Sequence, residues 1–117
     1  MNESTWIELG NQNSERMSRS QLTYFISMSA LTATIVFSGS GFALLLSVAA
    51  VGIALYGILT FDAAQQANIL MSQSMPESVA STPVGEAIGQ VNQYQFYRAT
   101  NALFTAGIAA IQIIAIN

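Results

Sequence analysis

One stretch of the sequence, residues 22–61, contains no Asp, Glu, Lys, Arg or His over about 40 positions. About 20 apolar residues in a helix cross the ~30 Å hydrocarbon layer of a membrane. The stretch is therefore long enough for two membrane spans or for one very long helix. A Ser-Gly-Ser-Gly sequence at residues 38–41 divides it into two segments of about one span each. We therefore expect the chain to turn at residues 38–41.

The composition is that of a membrane protein and excludes several classes of function. Hydrophobic residues make up 52% of the 117 and charged residues only 8%, against roughly 25% charged in soluble domains. The net charge is −3 and the chain has no Lys, so we expect no nucleic-acid partner. Without Cys or His it lacks the thiolate and imidazole ligands of common metal and haem sites. We expect neither a metal nor a cofactor.

The fold class that these features predict is an all-α integral membrane protein with three helices, at about residues 20–37, 42–74 and 83–116. The last two helices are similar in length and are joined by a short polar loop, residues 76–82. We therefore expect them to form a long antiparallel hairpin. The alternative has two long helices, of which the first continues without a break through residues 38–41.

Local sequence supports the predicted ends of the last two helices. Residues 62–74 lack Gly and Pro, so the second helix is expected to continue beyond its apolar segment. Pro76 disfavours helix at the residue before it. Thr82 followed by Pro83 has the arrangement of a helix N-cap and a first helical residue.

Residues 1–19 form a polar N-terminal segment, which precedes a single transmembrane helical domain, residues 20–117. Thr5 and Glu8 have the spacing of a capping box, so we expect a short interfacial helix in this segment. The ring of Trp6 would suit the headgroup region of a membrane. The alternative for the same segment is a disordered tail.

The arginines predict the orientation of the chain in the membrane. Arg and Lys concentrate on the cytoplasmic side of membrane proteins, so Arg16 and Arg19 place the N-terminus in the cytoplasm. With three spans, Arg98 lies on the same side. We expect the first apolar segment to remain as an uncleaved helix, although a basic start followed by an apolar stretch also resembles a secretory signal.

Small and polar side chains in the predicted spans mark the expected contacts between helices. The helix-packing residues are Ser29, Ala33, Ala43, Ser47, Ala50, Ala54, Ala99, Ala102, Ala106 and Ala109. Asn101, Thr105 and Gln112 form a polar face that we expect to look into protein, with hydrogen bonds either within the bundle or between copies of the chain. Asp62 and Arg98 lie at the membrane edge at similar depth, and we expect them to pair directly or through water. Independent snorkelling of the two side chains is the alternative.

The sequence offers no arrangement of residues suited to catalysis. Its serines have no His or Lys to activate them, and its acids are scattered through the polar segments. No Asp, Glu, Lys, Arg or His lies inside the apolar segments of the predicted helices, residues 20–37, 42–61 and 99–116, which argues against ion translocation. We expect a protein that is not an enzyme.

These features predict a structural or accessory subunit of a larger membrane-embedded assembly, which acts through helix packing. Its expected partners are the lipid bilayer and other membrane proteins or copies of itself. In layout, residues 42–117 resemble the conjugative pilins, although the chain has an additional first span and no basic connecting loop. That resemblance implies a self-assembling hairpin in a homo-oligomer or filament. A hole-forming, holin-like protein is a third hypothesis, but the chain ends at Asn117 without the charged tail common in such proteins.

Overall fold

The computed structural model describes residues 2–39 and 41–117, and all the regular secondary structure within them is helical. Its helices are α1 (Glu3–Phe37), α2 (Ala43–Gln73), α3 (Glu77–Ala80), α4 (Pro83–Ile88) and α5 (Val91–Ile116). The three long helices α1, α2 and α5 contain apolar windows with mean hydropathies of 1.3, 2.3 and 1.7, enough to cross a membrane. The prediction of a helical protein with three long apolar helices is confirmed.

The chain turns between α1 and α2. α1 ends at Phe37, where the backbone amide of Ser38 still donates to the carbonyl of Thr34 at 2.8 Å. Gly41 then has a φ of 113°, which glycine adopts without the steric cost that a Cβ would impose. The alternative with a continuous first helix through residues 38–41 is wrong, because Gly41 leaves the helical conformation before α2 begins.

α1 is much longer than the sequence predicts. It begins at Glu3 and not at about residue 20, so the polar segment and the first apolar segment form one helix. The predicted domain boundary after residue 19 falls inside this helix. Its N-cap is Asn2, whose side-chain oxygen accepts a hydrogen bond from the amide of Thr5 at 2.8 Å. The predicted cap at Thr5 is therefore wrong.

The predicted helix at residues 83–116 is divided into α4 and α5. It is interrupted at Gly89 and Gln90, and α5 begins at Val91. The hydroxyl of Tyr94 donates to the carbonyl of Ile88 at 2.8 Å and so satisfies one of the acceptors that α4 leaves at its end. The predicted N-cap is confirmed, since Thr82 Oγ1 accepts from the amide of Gly85 at 3.0 Å.

The loop predicted at residues 76–82 contains the single turn of α3, against which α4 packs closely. Gly85 is buried at this contact. A Cβ at Gly85 would lie 1.9 Å from the carbonyl oxygen of Val79, so a larger side chain has no room there. Ser78 also donates to the carboxylate of Glu3 at 2.8 Å, which joins α3 to the start of α1.

α2 lies between α1 and α5 and packs against both, whereas α1 and α5 make few contacts with each other. Asn13 meets Asn68, and Tyr24 packs on Gly57, so α1 and α2 run in opposite directions. The molecule is elongated, with extents of 60 × 22 × 17 Å.

Each of the long helices α1, α2 and α5 has a polar and an apolar part. The three boundaries between these parts lie at the same height along the bundle axis, which we call one level. Tyr24 of α1 packs on Gly57 of α2, and the two helices are antiparallel. Ser20 lies four residues before Tyr24, and Phe61 lies four residues after Gly57, so Ser20 and Phe61 lie side by side. Arg98 pairs with Asp62 directly beyond the apolar segments of α2 and α5. We call residues 20–37, 43–61 and 99–116 the apolar half, and residues 2–19 and 62–98 the polar half.

Candidate functional site

Small side chains form the centre of the apolar half. On α2, Ala50 is 1% exposed and Gly57 is buried. The ring of Tyr24, which is 5% exposed, packs directly on Gly57, since a Cβ at Gly57 would lie 2.5 Å from this ring. Leu31 of α1 and Ala109 of α5 are also buried. The close approach of the helices therefore depends on residues of α2 that have little or no side chain.

The predicted packing residues fall into three groups by exposure. Ala50 and Ala109 are buried. The half-buried members are Ala43, Ser47, Ala54 and Ala102, and the exposed members are Ser29, Ala33, Ala99 and Ala106. The predicted packing residues of α5 are therefore split, because α5 turns its polar face inward and leaves Ala99 and Ala106 on the outside.

The polar face of α5 forms hydrogen bonds within the chain. Gln112 is 6% exposed, and its amide nitrogen donates to Thr32 Oγ1 at 3.0 Å and to the carbonyl of Met28 at 3.4 Å. Asn101 donates to the carbonyl of Gly57 at 3.4 Å. Thr105 is 3% exposed. Gln112 thus bridges α5 to α1, and Asn101 bridges α5 to α2.

Asp62 and Arg98 form a direct pair at the boundary between the two halves. Arg98 donates from Nε to Asp62 Oδ1 and from Nη2 to Oδ2, the latter at 3.2 Å, which is the bidentate geometry favoured by guanidinium and carboxylate. Gln66 donates to Asp62 Oδ2 at 2.9 Å, and Gln95 accepts from Arg98 Nη1 at 3.0 Å. The pair joins α2 to α5 where both helices become apolar.

A second set of contacts, which sequence reasoning missed, joins α1 to α2 in the polar half. The Trp6 indole donates to the carbonyl of Met71 at 2.8 Å. Asn13 is 6% exposed and donates to Asn68 Oδ1 at 2.8 Å and to the carbonyl of Ala64 at 3.2 Å. Asn68 in turn donates to Gln65, which is 3% exposed. These bonds hold the polar part of α1 as a helix against α2.

A seven-residue repeat in α2 could have indicated this contact. Ala43, Ala50, Gly57 and Ala64 recur every seven residues, and Met71 follows at the same interval. A seven-residue repeat keeps one side of a helix facing its neighbour along the whole length. The repeat passes through residue 61 into the polar half, so it predicts that α2 has a partner there as well.

An open cavity of about 280 Å³ lies in the polar half where α1, α2, α4 and α5 meet. Trp6, Asn68, Ile88 and Tyr94 contribute to its wall. Tyr94 lies before the apolar part of α5, and burial raises the pKa of its phenol, with a further increase from Tyr97 and a smaller opposing effect from Gln93. The same phenol donates to the Ile88 carbonyl at 2.8 Å.

In the part of the chain that the structure describes, no three Asp, Glu, His or Cys side chains come together as a metal site. Comparison of the chain with protein-family models, with curated proteins and with solved structures found no match. Function is therefore inferred from the contacts described above.

Proposed function

We propose that the protein is a non-catalytic integral membrane protein that serves as a structural or accessory subunit of a larger membrane-embedded assembly, through packing of its helices. The alignment of its polar-to-apolar changes carries this proposal. From that level, each long helix continues for about 18 apolar residues, or about 27 Å. This length matches the ~30 Å hydrocarbon layer of a bilayer.

The exposed apolar side chains support this placement. Large hydrophobic residues on the outside of the apolar half include Leu22, Ile26, Val36, Phe37, Leu44, Leu45, Val48, Leu59, Leu103, Phe104, Ile111 and Ile114, each more than half exposed. Water around so continuous an apolar surface would be unfavourable, and surfaces of this extent mark contacts with a membrane or with other proteins. Lipid and partner helices are the surroundings that fit it.

The polar groups in the apolar half support a packing role over transport. Thr32, Thr34 and Thr60 donate to the carbonyls four residues earlier, which satisfies their hydroxyls within their own helices. Asn101 and Gln112 bond across the bundle. No buried side-chain nitrogen or oxygen among the described residues lacks a partner. Within residues 2–39 and 41–117, the interior therefore offers no row of unpaired side-chain groups to an ion.

Small residues on the outside of the apolar half support a partner helix. Ser29 and Ala33 on α1 are exposed, as are Ala99 and Ala106 on α5. In a membrane, small side chains let helix backbones approach closely, and this packing is a main source of helix association. Because the protein's own fold leaves these positions uncovered, they are the surface that we assign to another subunit.

The experiment is purification in mild detergent, followed by identification and counting of the proteins that copurify. We expect a larger membrane protein at fixed stoichiometry. Ala106→Leu should reduce its recovery at least about fivefold, because the added side chain fills the space that a partner backbone would occupy. The matched control Ile111→Leu, also on the outer surface of α5, should have no effect.

Two other outcomes have definite meanings. A monomer without partners would contradict the proposal. Ordered homo-oligomers or filaments would instead support the self-assembling alternative, in which the same exposed small residues contact copies of the chain.

A further inference from the structure

Charge is distributed unevenly along the molecule. All three arginines, Arg16, Arg19 and Arg98, lie within about two helical turns of the boundary between the polar and apolar halves. Four of the six acids lie in the outer part of the polar half, away from this boundary: Glu3, Glu8, Glu77 and Glu86. The positive charge is thus adjacent to the proposed membrane surface, and most of the negative charge is distant from it.

The three arginines differ in how strongly their guanidinium groups are bonded to other side chains. Arg98 is engaged by Asp62 and Gln95. Arg19 lies 3.8 Å from Glu15, but both side chains are largely exposed, at 82% and 73%, so this contact is weak. Arg16 forms no ion pair with any residue in the described ranges. Arg16 and Arg19 therefore retain donors for an anion.

An open cavity of about 380 Å³ brings these two arginines together with hydroxyl groups. Its wall includes Arg16, Arg19, Ser20, Thr23 and Tyr56, and also Gln12 and the carboxylate of Glu15, which lies 3.8 Å from Arg19. From the rise per residue of an α-helix, Arg16 lies about 6 Å from Ser20 toward the polar half. Thr23 lies about 5 Å from Ser20 toward the apolar half. Tyr56 of α2 reaches the cavity from the apolar side of Phe61. The cavity thus extends from the headgroup region into the edge of the hydrocarbon layer.

We propose that this cavity is the binding site for the headgroup of an anionic phospholipid. The guanidinium groups of Arg16 and Arg19 bind its phosphate, and the hydroxyls of Thr23 and Tyr56 face its glycerol ester region. The inference rests on the proposed membrane placement, which puts the cavity at the depth of lipid phosphates. Arginine suits this role because its planar group of donors matches phosphate oxygens. Anionic lipids are concentrated in the cytoplasmic leaflet, on the side where the N-terminal arginines are predicted.

The test measures the association of spin-labelled phosphatidylglycerol, relative to spin-labelled phosphatidylcholine, with the protein in phosphatidylcholine vesicles. Wild type should prefer phosphatidylglycerol. In the double variant Arg16→Gln/Arg19→Gln, the preference for phosphatidylglycerol over phosphatidylcholine should be at least about fivefold smaller than in wild type, as expected for loss of basic groups at a membrane surface. Both side chains are exposed, so the fold should persist, and unchanged emission of Trp6 checks this.

Two matched variants sharpen the test. Glu15→Gln removes the carboxylate that competes for Arg19 and should increase the preference for phosphatidylglycerol. Glu8→Gln removes an exposed carboxylate remote from the cavity and should leave the preference unchanged. If the double arginine variant keeps the wild-type preference, or if inorganic phosphate displaces the labelled lipid, the lipid site is wrong.

Flotation with the vesicles separates this inference from the proposed function. If wild type fails to insert into vesicles, both the membrane subunit and the lipid site are contradicted. If wild type and the arginine variant both insert and show equal lipid preference, only the lipid site fails.

Discussion

At the scale of single residues, Gly57 controls the distance between α1 and α2. The ring of Tyr24 occupies the space that a side chain at position 57 would need, and this ring is 5% exposed, so it cannot move aside freely. Gly52 lies on the same helix, but a Cβ at this position would meet no atom of a neighbouring element within 4 Å. A side chain at position 57 would therefore clash with Tyr24, whereas a side chain at position 52 has room.

We expect Gly57→Ala to lower the free energy of unfolding in detergent by about 1–3 kcal/mol, because overpacking forces the ring or the backbone to shift. The helix propensity that alanine adds, up to about 1 kcal/mol, offsets only part of this loss over most of that range. Gly52→Ala should be neutral or slightly stabilising. Thermal unfolding followed by circular dichroism measures both, and equal behaviour of the two variants would show that the Tyr24 contact does not limit helix approach.

At the scale of elements, the polar part of α1 is the largest departure from the sequence prediction. Residues 3–19 are rich in Asn and Ser, which are weak helix formers, and they lack a continuous apolar stripe. Their helix depends on partners about 50 to 65 residues away in the sequence, through Asn13 and Trp6. Such tertiary contacts override local propensity, so composition and periodicity within α1 could not reveal them.

Other elements were predictable because their signals are local. The turn after Phe37 includes Gly41, whose positive φ favours glycine, and the start of α4 depends on the adjacent Thr82 and Pro83. The split of the α5 alanines between inside and outside was not predictable, since small and polar faces are both plausible packing surfaces in a membrane helix. The acceptors for this polar face, Thr32 on α1 and the Gly57 carbonyl on α2, lie on other helices, so the sequence of α5 alone does not identify them.

Asn13→Ala tests the docking of the polar part of α1. The change removes two hydrogen bonds and leaves the side-chain oxygen of Asn68 without this donor, so we expect a loss of about 1–3 kcal/mol. Residues near the start of α1 should exchange amide hydrogens faster, and the fluorescence of Trp6 should shift to longer wavelength as its indole meets water. Asn11→Ala is the matched control, because Asn11 is exposed on the same helix. Equal exchange in both variants would contradict a docked N-terminal helix.

At the scale of the whole molecule, a single level passes through Ser20, Phe61 and Ala99 and divides the bundle. Below it lie the apolar parts of α1, α2 and α5, whose buried polar side chains all have hydrogen-bond partners in the described residues. Above it lie a helical extension held by amide side chains, the short helices α3 and α4, and all six acids. The 60 Å length of the molecule is about twice the thickness of the hydrocarbon layer, so a bilayer around the apolar half would leave the polar half in water.

Reaction of single introduced cysteines with a membrane-impermeant maleimide tests this level most directly, since the chain has no Cys of its own. Four exposed positions on α2 form a matched series: Val48→Cys and Leu55→Cys in the apolar half, and Gln66→Cys and Gln73→Cys in the polar half. In vesicles with the polar half outward, we predict rapid labelling at positions 66 and 73 and protection at 48 and 55, with all four labelled after denaturation. Equal labelling at all four positions in intact vesicles would contradict the placement of the apolar half in the membrane.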